Sequence, residues 1–261
     1  MTLSLFDRPA VLFLPASRAS AILKARASAA DLVILDLEDA VKPADKEAAR
    51  AAAVAAVAED WPMPVAIRAN GEGTAWHEMD IAAANASSCD LIVVPGVEAP
   101  PPRQSKPVAA MIESARGVIN ALAIAEACEA LIVGTNDLAA DLRLPGVDRA
   151  AMSYALQATL LAARAAGIPV FDGVFNRLDD LAGFAAEAAA GRALGFDGKS
   201  LIHPDQIAAC HAAFAPSADE LARAHRLVAA TTAGATRFEG EMVEAMHVAA
   251  ARRLIGRYAA R

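Results

Sequence analysis

The sequence predicts a closed α/β barrel of eight parallel strands, the (β/α)8 or TIM-barrel fold, followed by a helical extension. Its 261 residues fit the ~250 residues that such barrels commonly use as one domain. Eight short apolar runs alternate with longer alanine-rich stretches. Each run is almost continuously apolar, which is typical of parallel strands covered on both faces. With 56% hydrophobic and 21% charged residues, the composition supplies a large core and excludes disorder.

The predicted elements follow one another in strand-then-helix order. The predicted strands are residues 11–16, 32–39, 65–70, 91–98, 108–114, 130–138, 169–175 and 198–204. Intervening stretches are rich in Ala, Leu, Glu, Lys and Arg and are long enough for the crossover helices that parallel neighbours require. These stretches include residues 17–29, 44–58, 115–127 and 149–166.

One helix of the outer ring is expected to be missing. Between the fourth and fifth strands the sequence EAPPPRQSKP is too short and too rich in proline for a helix. After residue 204, helices are predicted at 206–214 and 217–232, the second with a capping box of Ser217 and Glu220. A glycine-punctuated turn at 234–240 leads to a last helix near Arg261. We therefore predict a barrel domain over residues 1–214 and a helical extension over 215–261.

Charge and cysteine content narrow the function classes. The chain has 24 basic and 31 acidic residues, a net charge of −7, so nucleic acid is not an expected partner. Cys89, Cys128 and Cys210 are odd in number and lack CxxC spacing, which favours reduced thiols in the cytoplasm over a disulfide framework or a zinc site. The N-terminal apolar run is too short for a signal peptide or an anchor, so no membrane association is predicted.

Polar residues gather where the predicted strands end. In this fold, the loops after the carboxyl ends of the strands build the active face. These positions hold Asp36, Glu38, Asp39, Arg68, Asn70, Glu98, Glu113, Asn136, Asp137, Asp172 and His203. Carboxylates that converge on one mouth repel each other unless a positive charge lies between them. A divalent cation with oxygen ligands would supply that charge.

Six motifs, in order, carry a resemblance to a known family. They are FLPASRASAILK, VILDLEDAV, IESARG, GTNDL, GFDGK and IHPDQI. The chain resembles the citrate lyase β-subunit-like branch of the HpcH/HpaI aldolase family, whose members include malyl-CoA and citramalyl-CoA lyases. The resemblance extends from about Leu12 to the last helix. It implies a Mg²⁺-dependent enzyme that acts on an acyl-CoA and a keto or hydroxy acid.

The resemblance also implies roles for particular residues. Glu113 of IESARG and Asp137 of GTNDL correspond to the family's magnesium ligands, and two carboxylates leave room for water and substrate oxygens. Arg68 corresponds to the arginine that binds a substrate carboxylate, with a salt bridge to Asp36 or Glu38 as the alternative.

Other positions are assigned supporting roles by the same resemblance. Glu38 and Asp39 would hold metal-bound waters and orient Arg68, Asp39 also being a catalytic candidate, while Asp36 would support them or cap the following turn. Asn136, where many relatives have Glu, would support the ligand pair.

Positive charge for the coenzyme A phosphates would come from Arg18 and Lys24, which are otherwise ordinary surface residues. His203 is expected to organise its loop. Gly96, in PGVEA, stands where the family has a lysine.

The C-terminal extension contributes one further candidate. In related lyases this segment closes over a neighbouring subunit's active site and supplies an acidic residue. The matching stretch here is MVEAMH, with Glu244 in place of the family's Asp. The alternative for Glu244 is an ordinary solvent-facing position on a helix.

The expected activity is cleavage, or in reverse formation, of a carbon–carbon bond in a 3-hydroxy-dicarboxyl-CoA, which gives a keto acid and an acyl-CoA. Three alternatives remain open: thioester hydrolysis on the same scaffold, a citrate lyase β-like subunit that acts on an acyl carrier protein, and a non-catalytic binding barrel. A homo-oligomer, a trimer or a hexamer, is expected because the extension would act on a neighbouring subunit.

Overall fold

The structure of the chain is a computed structural model that describes residues 4–230 and 235–258. Its internal contacts divide the chain into two compact units. The first ends at Phe214 and the second begins at Ala215.

The first unit is a closed barrel of eight parallel strands. The strands are β1 (Ala10–Pro15), β2 (Leu32–Asp36), β3 (Val65–Arg68), β4 (Leu91–Val94), β5 (Val108–Ile112), β6 (Ala130–Val133), β7 (Val170–Asp172) and β8 (Gly198–Leu201). Each strand pairs in parallel with the next, and β8 pairs with β1 to close the barrel. The predicted fold class is confirmed.

Nine α-helices lie within the described residues of this unit. They are α1 (Ala19–Arg26), α2 (Lys46–Val57), α3 (His77–Ala86), α4 (Ala115–Ile119), α5 (Ala121–Ala125), α6 (Thr135–Asp141), α7 (Ser153–Ala166), α8 (Leu181–Leu194) and α9 (Gln206–Phe214). The segment between β4 and β5, which the structure describes in full, contains no helix, as its prolines predict.

Continuous burial of the strands reflects their two apolar faces. Alternate residues, such as Leu32, Ile34 and Phe171, form a cluster inside the barrel. Their neighbours, such as Val33 and Leu35, pack in the larger cluster between the sheet and the helices. Because both faces are covered, the strand sequences lack the polar alternation of a half-exposed sheet.

The predicted strands extend too far at their carboxyl ends. Residues 32–39 were expected in the second strand, which ends at Asp36, and residues 130–138 in the sixth, which ends at Val133. The apolar runs continue into the loops at the mouth, and α6 begins directly after Gly134. The helix predicted at 115–127 is divided at Asn120 into α4 and α5.

The second unit contains α10 (Ala218–Ala230), β9 (Thr236–Phe238), β10 (Glu241–Val243) and α11 (Ala245–Tyr258). The capping box is present: the Ser217 N–H donates to Glu220 at 2.7 Å and the Glu220 N–H donates to the Ser217 hydroxyl at 3.1 Å. The turn predicted at 234–240 is too long: residues 236–238 form β9, and the bend of the antiparallel hairpin is Glu239 and Gly240, both at positive φ. Gly234, residues 231–232 of the predicted helix and Arg261 lie outside the described residues.

No helix in the described parts of the chain combines the length and the hydropathy that crossing a bilayer requires.

Asp172 does not join the polar mouth, although it ends a strand. Its carboxylate is buried and accepts from Lys199 Nζ at 3.0 Å and from Arg149 at 2.9 Å. Lys199 is also fully buried and donates to Glu187 at 2.7 Å. Gly191 of α8 lies against Asp172, so this network joins the strands to the outer helices. The side chain of Asp172 is therefore structural.

Replacing Lys199 with Met should destabilise the barrel, because it leaves the buried carboxylate of Asp172 with one cation fewer. We expect a loss of about 3 kcal/mol in the free energy of unfolding, measured by urea denaturation. The matched control is Arg116→Met, which breaks the exposed pair with Glu98 and should cost less than about 1 kcal/mol. Equal losses in the two variants would contradict this assignment.

Candidate active site

Six charged residues converge at the carboxyl ends of the strands. They are Asp36, Glu38, Asp39, Arg68, Glu113 and Asp137, which come from the ends of β2, β3 and β5 and from the first turn of α6. Together they line two adjoining depressions, four of them in each, and one depression is a cavity of about 340 Å³ at the barrel mouth. The arrangement brings five carboxyl groups to one guanidinium.

Arg68 is buried and is bound by carboxylates. Its Nε and Nη2 donate to the two oxygens of Asp36 at 2.7 and 2.8 Å. Its Nη1 lies 2.8 Å from Glu38 and 3.6 Å from Asp39. Burial works against the charged form, but these carboxylates outweigh it and hold the pKa of Arg68 above its ordinary value. The salt bridge considered as an alternative from the sequence is therefore present.

Asp36 organises the turn that carries Glu38 and Asp39. Besides binding Arg68, it accepts the N–H of Glu38 at 2.8 Å and that of Ala40 at 3.1 Å. One carboxylate thus holds both the guanidinium and the backbone of the turn. The turn cap considered for Asp36 is therefore present, and the same carboxylate binds Arg68.

Glu113 is buried with one carboxylate oxygen unpaired. Its Oε1 accepts the N–H of Gly96, which has a φ of +60°. Its Oε2 is buried and has no hydrogen-bond partner in the part of the chain that the structure describes. Burial, followed by the repulsion of Asp137, raises the pKa of Glu113 to about 7. An unpaired buried carboxylate oxygen beside a second carboxylate is suited to a cation.

The other acids share this electrostatic environment. Burial raises the pKa of Glu38 to about 8 although Arg68 opposes the shift, and Asp39 and Glu113 add to it. Burial and Asp39 also raise the pKa of Asp137. No group of three or more His, Cys, Asp or Glu side chains within residues 4–230 and 235–258 forms a ligand cage. An ion here would take two protein carboxylates and complete its shell with water or substrate oxygens.

Lys46 binds the backbone of the turn after β2, called the acidic turn because it carries Glu38 and Asp39. This buried lysine donates from Nζ to the carbonyls of Leu37 and Glu38, both at 2.7 Å, and to the amide oxygen of Asn70. Asn70 in turn donates to the buried Asp80. The loops after β2 and β3, which carry Glu38 and follow Arg68, are therefore joined through one ammonium group.

The comparison with protein families decides the family of the chain. The sequence model of the HpcH/HpaI aldolase/citrate lyase family matches residues 9–102 and 102–204. The chain belongs to this family. The resemblance drawn from the six motifs is thus confirmed.

Two relatives and one solved structure extend this result. The (3S)-malyl-CoA thioesterase of Cereibacter sphaeroides is 37% identical over 265 residues, which cover 95% of this chain and 93% of the relative. Citrate lyase subunit beta of Leuconostoc mesenteroides subsp. cremoris is 33% identical, with coverage of 95% and 92%. The crystal structure of CitE from Mycobacterium tuberculosis in complex with magnesium, acetoacetate and coenzyme A has a TM-score of 0.86 at 34% identity, covering 97% of this chain and 98% of that chain.

Other positions predicted to take part follow β1, β6 and β8. Asn136 lines the cavity and pairs with Asn176 through their side-chain amides, at 2.7 Å and 3.4 Å. Arg18 and Lys24 are exposed, at the start of α1 and within it. His203 accepts the N–H of Asp205 at 3.2 Å, which suits a loop-organising role.

Glu244 lies in the second unit, directly before α11. Its side chain is exposed, and its backbone N–H donates to Nδ1 of His247 at 2.9 Å.

Several site residues escaped the sequence reasoning. The sequence predicts no role for Lys46, Asn176 and Ser200, and Gly134 and Thr135 enter only as part of the GTNDL motif. Gly134 carries the clearest signal, since it begins the GTNDL motif. A Cβ at this position would lie 2.1 Å from Oε2 of Glu113, so only glycine leaves space for that carboxylate.

Gly134→Ala should therefore displace the Glu113 side chain and destabilise the barrel by about 1 to 3 kcal/mol, the usual cost of overpacking. The measurement is urea denaturation. Gly146→Ala is the control, because a Cβ there meets nothing within 4 Å, and it should change the free energy of unfolding by less than about 0.5 kcal/mol. A Gly134→Ala variant as stable as the control would show that Glu113 does not occupy this space.

Proposed function

We propose that this chain is a Mg²⁺-dependent carbon–carbon lyase that cleaves a 3-hydroxy-dicarboxyl-CoA, of the malyl-CoA or citramalyl-CoA type, into a keto acid and an acyl-CoA. The observation that carries the proposal is the buried Glu113 carboxylate, with one oxygen unpaired, beside Asp137 and Arg68. Membership of the family and the CitE complex with magnesium and coenzyme A support it.

Glu113 and Asp137 would hold the cation. Their oxygens are the ligands that Mg²⁺ prefers, and a bound cation would offset the burial and the repulsion from Asp137 that raise the pKa of Glu113. When bound, the ion would supply positive charge that lowers the pKa of a substrate hydroxyl. Glu38 and Asp39 would contact waters of the ion's outer shell.

Arg68 would orient the substrate. Asp36 holds two of its nitrogens, which fixes the plane of the guanidinium and leaves Nη1 on the side of Glu38 and Asp39. A substrate carboxylate would accept from Nη1 at the edge of the cavity. Arg18 and Lys24, which follow β1, would bind the phosphates of coenzyme A outside the cavity.

Proton transfer requires a carboxylate base. Asp39 is the exposed candidate in the barrel, and Glu244 is the candidate from the C-terminal extension of another subunit. As the base removes the hydroxyl proton, the carbon–oxygen bond gains double-bond character and the bond to the α-carbon breaks. The electron pair moves onto the thioester as an enolate. Protonation of the α-carbon gives the acyl-CoA, and the other fragment leaves as the keto acid.

Thioester hydrolysis is the second candidate function. It is favoured by the 37% identity to the (3S)-malyl-CoA thioesterase over 95% of this chain. A water activated beside Glu113 and Asp137 would attack the thioester carbonyl, and the products would be a free dicarboxylic acid and coenzyme A. Both candidates use the same acids and the same substrate.

The two functions are separated by their products. We expect purified protein with Mg²⁺ and malyl-CoA or citramalyl-CoA to release glyoxylate or pyruvate, followed with a keto-acid reagent. Free coenzyme A, followed with a thiol reagent, would appear without keto acid if hydrolysis were the activity. If the protein releases no keto acid and no free coenzyme A from either substrate, the proposal is contradicted.

Glu113→Gln and Asp137→Asn should each lower kcat/KM by at least ~10²-fold, because each removes charge where the reaction needs a bound cation. Glu126→Gln, at an exposed acid directly after α5, is the matched control and should leave kcat/KM within about two-fold. Loss of activity in the control, or none in the two site variants, would count against these assignments.

Mg²⁺ should also stabilise the folded protein, because it binds the native carboxylate pair and not the unfolded chain. At about 100 times its Kd, Mg²⁺ is expected to raise the Tm by about 5 °C or more. The shift should fall below about 1 °C in Glu113→Gln and Asp137→Asn and persist in Glu126→Gln. Differential scanning fluorimetry measures this without any assumption about the substrate, and equal shifts in all variants would place the ion elsewhere.

A further inference from the structure

Two buried hydroxyls in the cavity have no hydrogen-bond partner. Thr135 is 1% exposed and Ser200 is 2% exposed, and both line the cavity at the barrel mouth. Neither hydroxyl has a partner among the residues that the structure describes. Thr159, which is also fully buried, instead donates to the carbonyl of Ala155 at 2.9 Å. Because buried hydroxyls are nearly always paired, the two in the cavity point to a ligand.

Strand alternation directs Ser200 inward, and a glycine makes room for Thr135. Lys199 binds Asp172 on the outer face of the barrel, so Ser200, the next residue of β8, faces the interior. Thr135 follows Gly134 and lies against Gly173 of the neighbouring loop. A Cβ on Gly173 would lie 2.5 Å from the Thr135 hydroxyl, so that glycine makes the space for it.

The part of the cavity lining that comes from β6, β7, β8 and the residues after them is mostly polar and uncharged. It consists of Thr135, Asn136, Asn176 and Ser200, with the acid Asp137 beside them on α6, whereas Asp36, Asp39 and Arg68 come from β2 and β3 across the barrel. A substrate carboxylate would bind more favourably to Arg68 or at the candidate cation site than to these uncharged residues. Hydroxyl and amide donors instead suit an uncharged oxygen, of which the carbonyl is the commonest kind.

The pairing of β8 with β1 relates Ser200 to the residues proposed to bind coenzyme A. Ser200 pairs with Val11 of β1, and β1 leads into the segment that carries Arg18 and Lys24. A coenzyme A whose phosphates lie near Arg18 and Lys24 would enter the cavity beside β8. Its thioester would then be the first part of the acyl group to reach Ser200.

We propose that Thr135 and Ser200 bind the thioester carbonyl oxygen of the substrate. This assignment rests on the proposed action on an acyl-CoA, and it holds for both candidate reactions. Carbon–carbon cleavage and hydrolysis each move negative charge onto that oxygen, where hydroxyl donors already in place stabilise it. The two residues are thus substrate-binding residues that become more important as charge develops.

The test compares two ligands that differ in one oxygen. Binding of acetyl-CoA and of S-ethyl-CoA, a thioether that lacks the carbonyl oxygen, is measured by calorimetry with Mg²⁺ present. Wild-type protein should bind acetyl-CoA about 10-fold more tightly. Thr135→Val and Ser200→Ala should each reduce this preference to about two-fold or less, while Thr159→Val retains it.

Unfolding and turnover provide the second readout. Thr135→Val and Ser200→Ala remove hydroxyls that have no protein partner, so their Tm should be unchanged or higher while kcat/KM falls at least 10-fold. Thr159→Val removes a hydrogen bond outside the cavity, so its Tm should fall while kcat/KM stays within about two-fold.

The outcomes separate this inference from the proposed function. If wild-type protein binds or cleaves acyl-CoA and the two cavity variants keep both the ligand preference and kcat/KM, the inference is overturned and the function stands. If wild-type protein neither binds nor cleaves any acyl-CoA, the function fails and the inference fails with it. A parallel loss of Tm in the two cavity variants would also overturn the inference, because it would indicate a structural role.

Discussion

The active face depends on an excess of negative charge held around one arginine. Arg68 is bound by Asp36 through two nitrogens and by Glu38 through a third, and Glu113 and Asp137 lie beyond the reach of its ion pairs. One guanidinium cannot neutralise five carboxyl groups, so burial and mutual repulsion raise the pKa values of Glu38, Glu113 and Asp137. A second positive charge resolves this imbalance, and the proposed chemistry uses that charge.

The rest of the barrel keeps the acids in place despite their repulsion. Lys46 binds the backbone of the acidic turn, and the N–H of Gly96 fixes one oxygen of Glu113. Gly134 leaves space for the other oxygen. The ammonium group of Lys46 donates to backbone carbonyls and an amide oxygen, and the other two features add no charge, so the carboxylates are restrained without a cation bound to them. Uncompensated charge of this kind is expected at functional sites.

Much of the architecture could be predicted from the sequence because strand burial and helix composition are local properties. Eight apolar runs, the missing helix in EAPPPRQSKP and the capping box at Ser217 all depend on neighbours in the chain. The direction in which a side chain points at a strand end depends instead on residues far away in the sequence. Asp172 ends a strand like Asp36, yet it pairs with Lys199 behind the sheet. Likewise, Ser200 and Thr135 are ordinary in sequence, and only closure of the barrel shows that their hydroxyls lack partners among the described residues.

The central claim is that Glu113 and Asp137 share one divalent ion. A crystal of the protein soaked in Mn²⁺, which also prefers oxygen ligands, tests this claim through anomalous scattering. The account predicts one strong anomalous peak about 2.1 to 2.3 Å from a carboxylate oxygen of each residue, with water in the remaining positions. A peak bound to other side chains, or none at the barrel mouth at millimolar Mn²⁺, would contradict it.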